Sequence, residues 1–158
     1  MKKFFIIFII VLIPVNSFGL IEVDITRGNL NPLPVAVSPL SIDEESRKNF
    51  ENILKKKNIG SEISLIVENN LRISGLFNPL DKDAFLQAPD IANLKPRFED
   101  WNLVKAQALI TGKVSYVEEK LRVEFRLWDV LAGKEMMALA FTTVPNNWRR
   151  VGHIITDK

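Results

Sequence analysis

The residues in this 158-residue chain with the clearest catalytic potential are one histidine, His153, and one pair of adjacent carboxylates, Glu118 and Glu119; there is no cysteine. His153 stands between Gly152 and Ile154, with no second histidine or carboxylate cluster at ligand spacing. That favours a structural histidine over a base or a metal ligand. Glu118 and Glu119 fall between two apolar stretches, the position of a solvated hairpin tip. Thr111-Gly112-Lys113 lacks the preceding glycine and the strand-to-helix context of a phosphate loop. Trp101, Trp128 and Trp148 could mark a binding surface. Each opens or closes an element, however, where a large ring seals the edge of a core. A hydrolase would need a pocket holding a perturbed carboxylate. The residue inventory favours binding over catalysis, with no catalytic residue, no metal and no cofactor expected.

The stretch with most binding potential is Leu20, Ile21, Glu22, Val23, Asp24 and Ile25, which alternates apolar and acidic residues before Thr26 and Arg27. An exposed extended segment of this kind can add to the sheet edge of another protein, where backbone hydrogen bonds supply affinity. Pairing with the chain's own sheet is the equal alternative.

The elements that would position these residues centre on 108–143. Leu121, Val123, Phe125 and Leu127 alternate with Arg122, Glu124 and Arg126, and Trp128 closes the second row. This is a strand with one buried face. Its neighbours, ALITGKVSYV and MMALAFTT, are more uniformly apolar, as expected where both faces are partly covered. Short turns at 118–120 and around Gly133 make the whole an antiparallel three-stranded meander.

Upstream, Pro32 and Pro34 forbid a central strand and suit a stiff extended lead-in. Val35-Ala36-Val37 reads as a short buried strand. Residues 43–57 run from Asp43, Glu44 and Glu45 to Lys55, Lys56 and Lys57, the charge order of a helix macrodipole. A helix and a solvated loop both fit. A firmer helix begins after Asn58 as cap, with Ile59, Ile63, Ile66, Ile73 and Phe77 on one face, Val67 beside them and Gly75 near its end. Residues 77–81 read as a turn and 82–95 as an irregular connection. Pro96 starts a short helix through Trp101 and Leu103. Asn147 caps a last helix carrying Trp148, Val151 and Ile155. That helix has no capping glycine, which suggests a longer protein. The expected fold class is mixed α/β, a sheet flanked by helices.

Residues 1–19 read as a secretory signal: Lys2 and Lys3, an apolar run from Phe4 to Ile13, then small residues up to a cleavage point between Gly19 and Leu20. The run is shorter than the ~20 residues of a spanning helix. No cysteine follows it for a lipid anchor. Removing Lys2 and Lys3 takes the formal charge from +2 to zero, so nothing points to a nucleic-acid partner. The rest, 20–158, is one domain. The expected compartment is the periplasm.

VDITRGNLNPLPVAV, ISGLFNPLD, ALITGKV, FRLWDV and NWRRVGHIITD, in this order after a signal peptide, resemble the amino-terminal domain family of TolB, a periplasmic component of the Tol–Pal system. The resemblance covers nearly all of 20–158, and 43–57 looks like an insertion within it. It implies a mixed sheet flanked by helices and, in the full protein, a following β-propeller that this chain lacks. It implies TolA and Pal as partners, Pal mainly through the propeller. It further implies that Leu20, Ile21, Glu22, Val23, Asp24, Ile25, Thr26 and Arg27 contact TolA, in a role supporting outer-membrane invagination and envelope integrity. A hydrolase accessory domain, or a purely structural domain orienting a propeller, are the alternatives.

Overall fold

The computed structural model describes residues 31–88 and 95–158. Elements appear in the order β1 (Leu33–Val37), β2 (Ser41–Ile42), α1 (Glu44–Leu54), α2 (Ile59–Ile73), β3 (Phe77–Pro79), α3 (Phe98–Leu103), β4 (Ala108–Val117), β5 (Lys120–Asp129), β6 (Lys134–Thr143) and α4 (Trp148–Thr156). They form one mixed sheet in the order β3-β1-β4-β5-β6, with β2 also pairing β4. β1 runs parallel to both β3 and β4, and β4, β5 and β6 form the antiparallel meander. The turn between β4 and β5 holds Glu118 and Glu119 at φ 49° and 60°, the left-handed pair that a tight type I′ hairpin demands.

Strand alternation divides the core between the two faces of the sheet. Val35, Val37, Ile110, Val114, Leu121, Val123 and Phe125 face α1, α2 and α4. Ala36, Leu109, Trp128 and Val130 face the opposite way and pack with Trp101 of α3. β1 is therefore buried on both sides, which is why it reads as an unbroken apolar run.

α1 is a helix despite its charge, because both ends and one face are fixed. Asp43 caps it, accepting from Ser46 N at 2.8 Å and Ser46 Oγ at 3.0 Å. The same hydroxyl accepts Tyr116 N–H at 2.8 Å, which ties the cap to β4. Phe50 is fully buried against Tyr116, edge to face at 5.4 Å. Lys55 closes the helix in the left-handed region at φ 57°. Lys56 and Lys57 lie beyond it. Asp43→Ala is expected to cost about 1 kcal/mol, the usual worth of such a cap, read as a lower urea midpoint with unchanged slope.

α2 buries Ile59, Ile63, Val67 and Leu71. The expectation for Ile73 fails: it is 83% exposed. The buried face centres on Val67, and at 3.6 residues per turn Ile73 lies about 120° from it. Phe77 belongs to β3 instead of this helix, and 77–79 is a strand where a turn was expected. Asn58 starts α2 without a side-chain cap bond; only its carbonyl engages, accepting Glu62 N at 3.1 Å. Asn147 likewise gives α4 no side-chain cap. The α2–α4 contact is close at Gly152, where a Cβ would sit 2.7 Å from Ile66 Cγ2. Asn70 Nδ2 bridges the two helices, 2.9 Å from His153 Nδ1 and 3.0 Å from Thr156 Oγ1.

Two further expectations are corrected. Pro34 does lie in a central strand. A residue's N and C=O point to one side of a strand, and the Pro34 carbonyl accepts Gln107 N at 2.9 Å, just ahead of the β4 ladder. Its missing N–H thus falls where that ladder has not begun. β6 is not covered on both faces: Met136 is 61% exposed and Leu139 37%. Its apolar run marks an edge strand, with nothing packed beyond it among the described residues.

Candidate functional site: an apolar groove at the foot of the sheet

An apolar groove of about 420 Å³ opens where β1 enters the sheet. Val35, Ile110 and Leu127 form its floor, Leu71, Phe77 and Ile155 its walls, and Leu33, Leu131 and Met136 its mouth. Parallel pairing sets Val35 beside Ala108, and antiparallel pairing sets Ile110 opposite Leu127, so three strands contribute one continuous floor. The C-terminal ends of α2 and α4 supply Leu71 and Ile155. Gln107, Asp129, Thr156 and Lys158 are the polar groups at its margin. Asp129 is occupied structurally, its Oδ1 accepting Ala132 N–H at 2.7 Å. Such a lining takes apolar side chains and offers little to polarise a scissile bond.

The candidate chemical residues do not gather here. Glu118 and Glu119 are exposed at the far hairpin tip. His153 is exposed and held by Asn70. Gly112 lies mid-strand, where a Cβ would meet Glu124 O at 2.4 Å. Trp101, Trp128 and Trp148 are buried at 1%, 6% and 7% exposure; Trp128 and Trp148 stand near element ends as expected, whereas Trp101 lies within α3 and inside the smaller core. Trp128 donates to Thr111 Oγ1 at 2.9 Å. Among the described residues, no three His, Asp or Glu side chains converge as a metal site would need. Gly19 and the segment Leu20, Ile21, Glu22, Val23, Asp24, Ile25, Thr26 and Arg27 lie outside the described residues.

Among the described residues, Asp43 and Glu68 depart clearly from their ordinary pKa, both downward, and neither lines the groove. Burial by itself would raise Asp43, but the Ser46 hydrogen bonds and the Lys113 charge outweigh it. Burial would likewise raise Glu68; hydrogen bonds and charge from Lys82 and Arg72, each 2.8 Å away, bring it below 4.5. A carboxylate lowered in the folded state stabilises the protein above its unfolded pKa and loses that effect as pH falls through the folded value. Glu68→Gln is therefore expected to lower the melting temperature at pH 7. The gap from the parent should close as pH drops below 4.5. Thermal melts across that range check it.

The groove residues carry no sequence signature. They come from seven elements and the β5–β6 turn and look like ordinary core until the topology brings them together. Only Leu33 and Met136, apolar at strand ends, hint that the core has an opening.

Among the described residues, no helix is long and apolar enough to cross a membrane. Comparison with known proteins is direct. Residues 21–136 match the TolB amino-terminal domain. Over all 158 residues the chain is 79% identical to the Tol-Pal system protein TolB of Pelagibacter ubique (strain HTCC1062), spanning 35% of that protein's length. The crystal structure of TolB from Acinetobacter baumannii shares the fold, with a TM-score of 0.59 at 20% identity over 80% of this chain and 27% of that one. PelC from Paraburkholderia phytofirmans also shares it, with a TM-score of 0.53 at 16% identity over 79% of this chain and 87% of that one. With the mixed sheet flanked by helices and a match across most of its length, this chain belongs to the TolB amino-terminal domain family.

Proposed function

We propose that this chain is a non-catalytic, periplasmic protein-interaction domain of the Tol–Pal system, working in envelope integrity and outer-membrane invagination during division. In this reading residues 20–27 form a two-state segment, docked on the domain or released to pair with TolA. Pal is met mainly through further sequence of the kind the longer relative carries.

The observation that carries the reading is the groove. It is apolar, and Leu33 at its mouth lies close in sequence to the alternating segment. A seat of matching chemistry at the segment's point of attachment is what a docked state needs. Family membership supplies the system in which such a switch would work.

The test is capture of the TolA C-terminal domain and of Pal by 20–158, with and without residues 20–31. Loss of TolA capture on deletion, with the unfolding midpoint nearly unchanged, is the expected result. A deletion protein that captures TolA as well as the parent would sink the switch.

A further inference from the structure

The two edges of the sheet are built differently. β3 is three residues long and ends in Pro79, so it offers almost nothing to a visiting strand. β6 is ten residues long and contains no proline. Its register shift falls at Leu127/Trp128, near the β6 N-terminal end, and pairing is regular from Met137 to Thr143. No charged residue occurs from Met136 to Val144. The charge at its start, Glu135, is engaged by Arg126 at 2.6 Å. Sheet edges are ordinarily protected from association by charges, prolines or short length. This one has none of those along its regular half.

We propose that β6 pairs antiparallel with β6 of a second copy of this chain, joining two sheets into one across a two-fold axis at Leu139. Self-complementarity singles out this occupant. Paired residues in antiparallel strands share a face. With Leu139 opposite its own symmetry mate, Met137 meets Phe141 on the helix-covered face, both already partly buried against the core. On the other face Ala138 meets Ala140, small residues that let the backbones approach. No like charges face one another, which is the usual penalty on self-pairing. A strand bearing charges at these positions would find no counter-charge here.

The chain has no cysteine, so one introduced thiol reports the geometry cleanly. In the full chain, Leu139→Cys is expected to give a disulfide-linked dimer on mild oxidation. Directly opposed Cα atoms lie about 4.5–5.5 Å apart, within disulfide reach. Thr143→Cys should remain monomeric, because its symmetry mate would be roughly 27 Å away at strand rise. Sedimentation of the unmodified chain should show a dimer population growing between about 1 µM and about 1 mM. Leu139→Lys should weaken it about tenfold or more while leaving circular dichroism unchanged. A monomer throughout that range overturns the proposal. So does cross-linking of Thr143→Cys as efficient as that of Leu139→Cys.

Discussion

Gly60→Ala is expected to destabilise the domain by about 3 kcal/mol or more, although alanine is the better helix former by about 1 kcal/mol. A Cβ at residue 60 would sit 2.2 Å from Leu40 O and 3.1 Å from Leu40 C, against backbone and not a side chain that could swing away. The 38–40 connection is pinned where the Cβ would push it. Ser64 Oγ accepts Leu40 N–H at 2.9 Å and lies 3.1 Å from Ser38 O, and Ser38 donates to Ile110 O at 2.9 Å. Relief would require breaking those bonds or lifting α2 off the sheet. The overlap therefore outweighs the propensity gain. Urea unfolding decides it: a midpoint equal to or above the parent's would show that the connection can retreat.

Trp101→Ala is expected to cost about 3–5 kcal/mol, the range for removing a buried aromatic. Trp101 is the centre of the smaller core, 1% exposed, packed edge to face on Phe85 at 5.0 Å and grouped with Ala36, Leu109 and Trp128. Its Nε1–H is buried without an acceptor. Trp101→Phe keeps most of the ring and removes that orphan donor, so it should cost less than half as much. Equal losses for the two variants would mean that the indole's full shape decides, not the burial of an aromatic ring.

The parts of the fold that could be read from the sequence are those with short-range causes. The alternation of Leu121, Val123 and Phe125 against Arg122, Glu124 and Arg126 located β5. For 43–57 the charge order allowed a helix or a loop, and the bond of Asp43 to Ser46 N, seen only in the structure, decides for α1. Val35-Ala36-Val37 was legible because both faces of a central strand select apolar residues. The errors arose where a distant partner decides. Ile73 is as apolar as Ile63, and only the position of the sheet makes one of them outside. Phe77-Asn78-Pro79 has turn chemistry, yet becomes a strand because β1 lies alongside it. MMALAFTT looks like covered sheet, and its exposure follows only from being last in strand order. The groove was illegible for the same reason. Its floor is a register relation between Val35, Ala108, Ile110 and Leu127 that no local pattern encodes.

The pairing of Val35 with Ala108 also sets a timetable for folding. Val117 and Lys120, at the tip of the β4–β5 hairpin, meet across a two-residue turn. β1 must close a loop of some seventy residues, and the entropy of closure has to be met before its contacts return anything. The meander is thus the earliest part of the sheet that the chain can assemble, although it is synthesised late. Val35-Ala36-Val37, made early, has only the three-residue β3 beside it until Ile110 has been added. During that interval the β4 edge of β1, which the finished sheet covers, stands open.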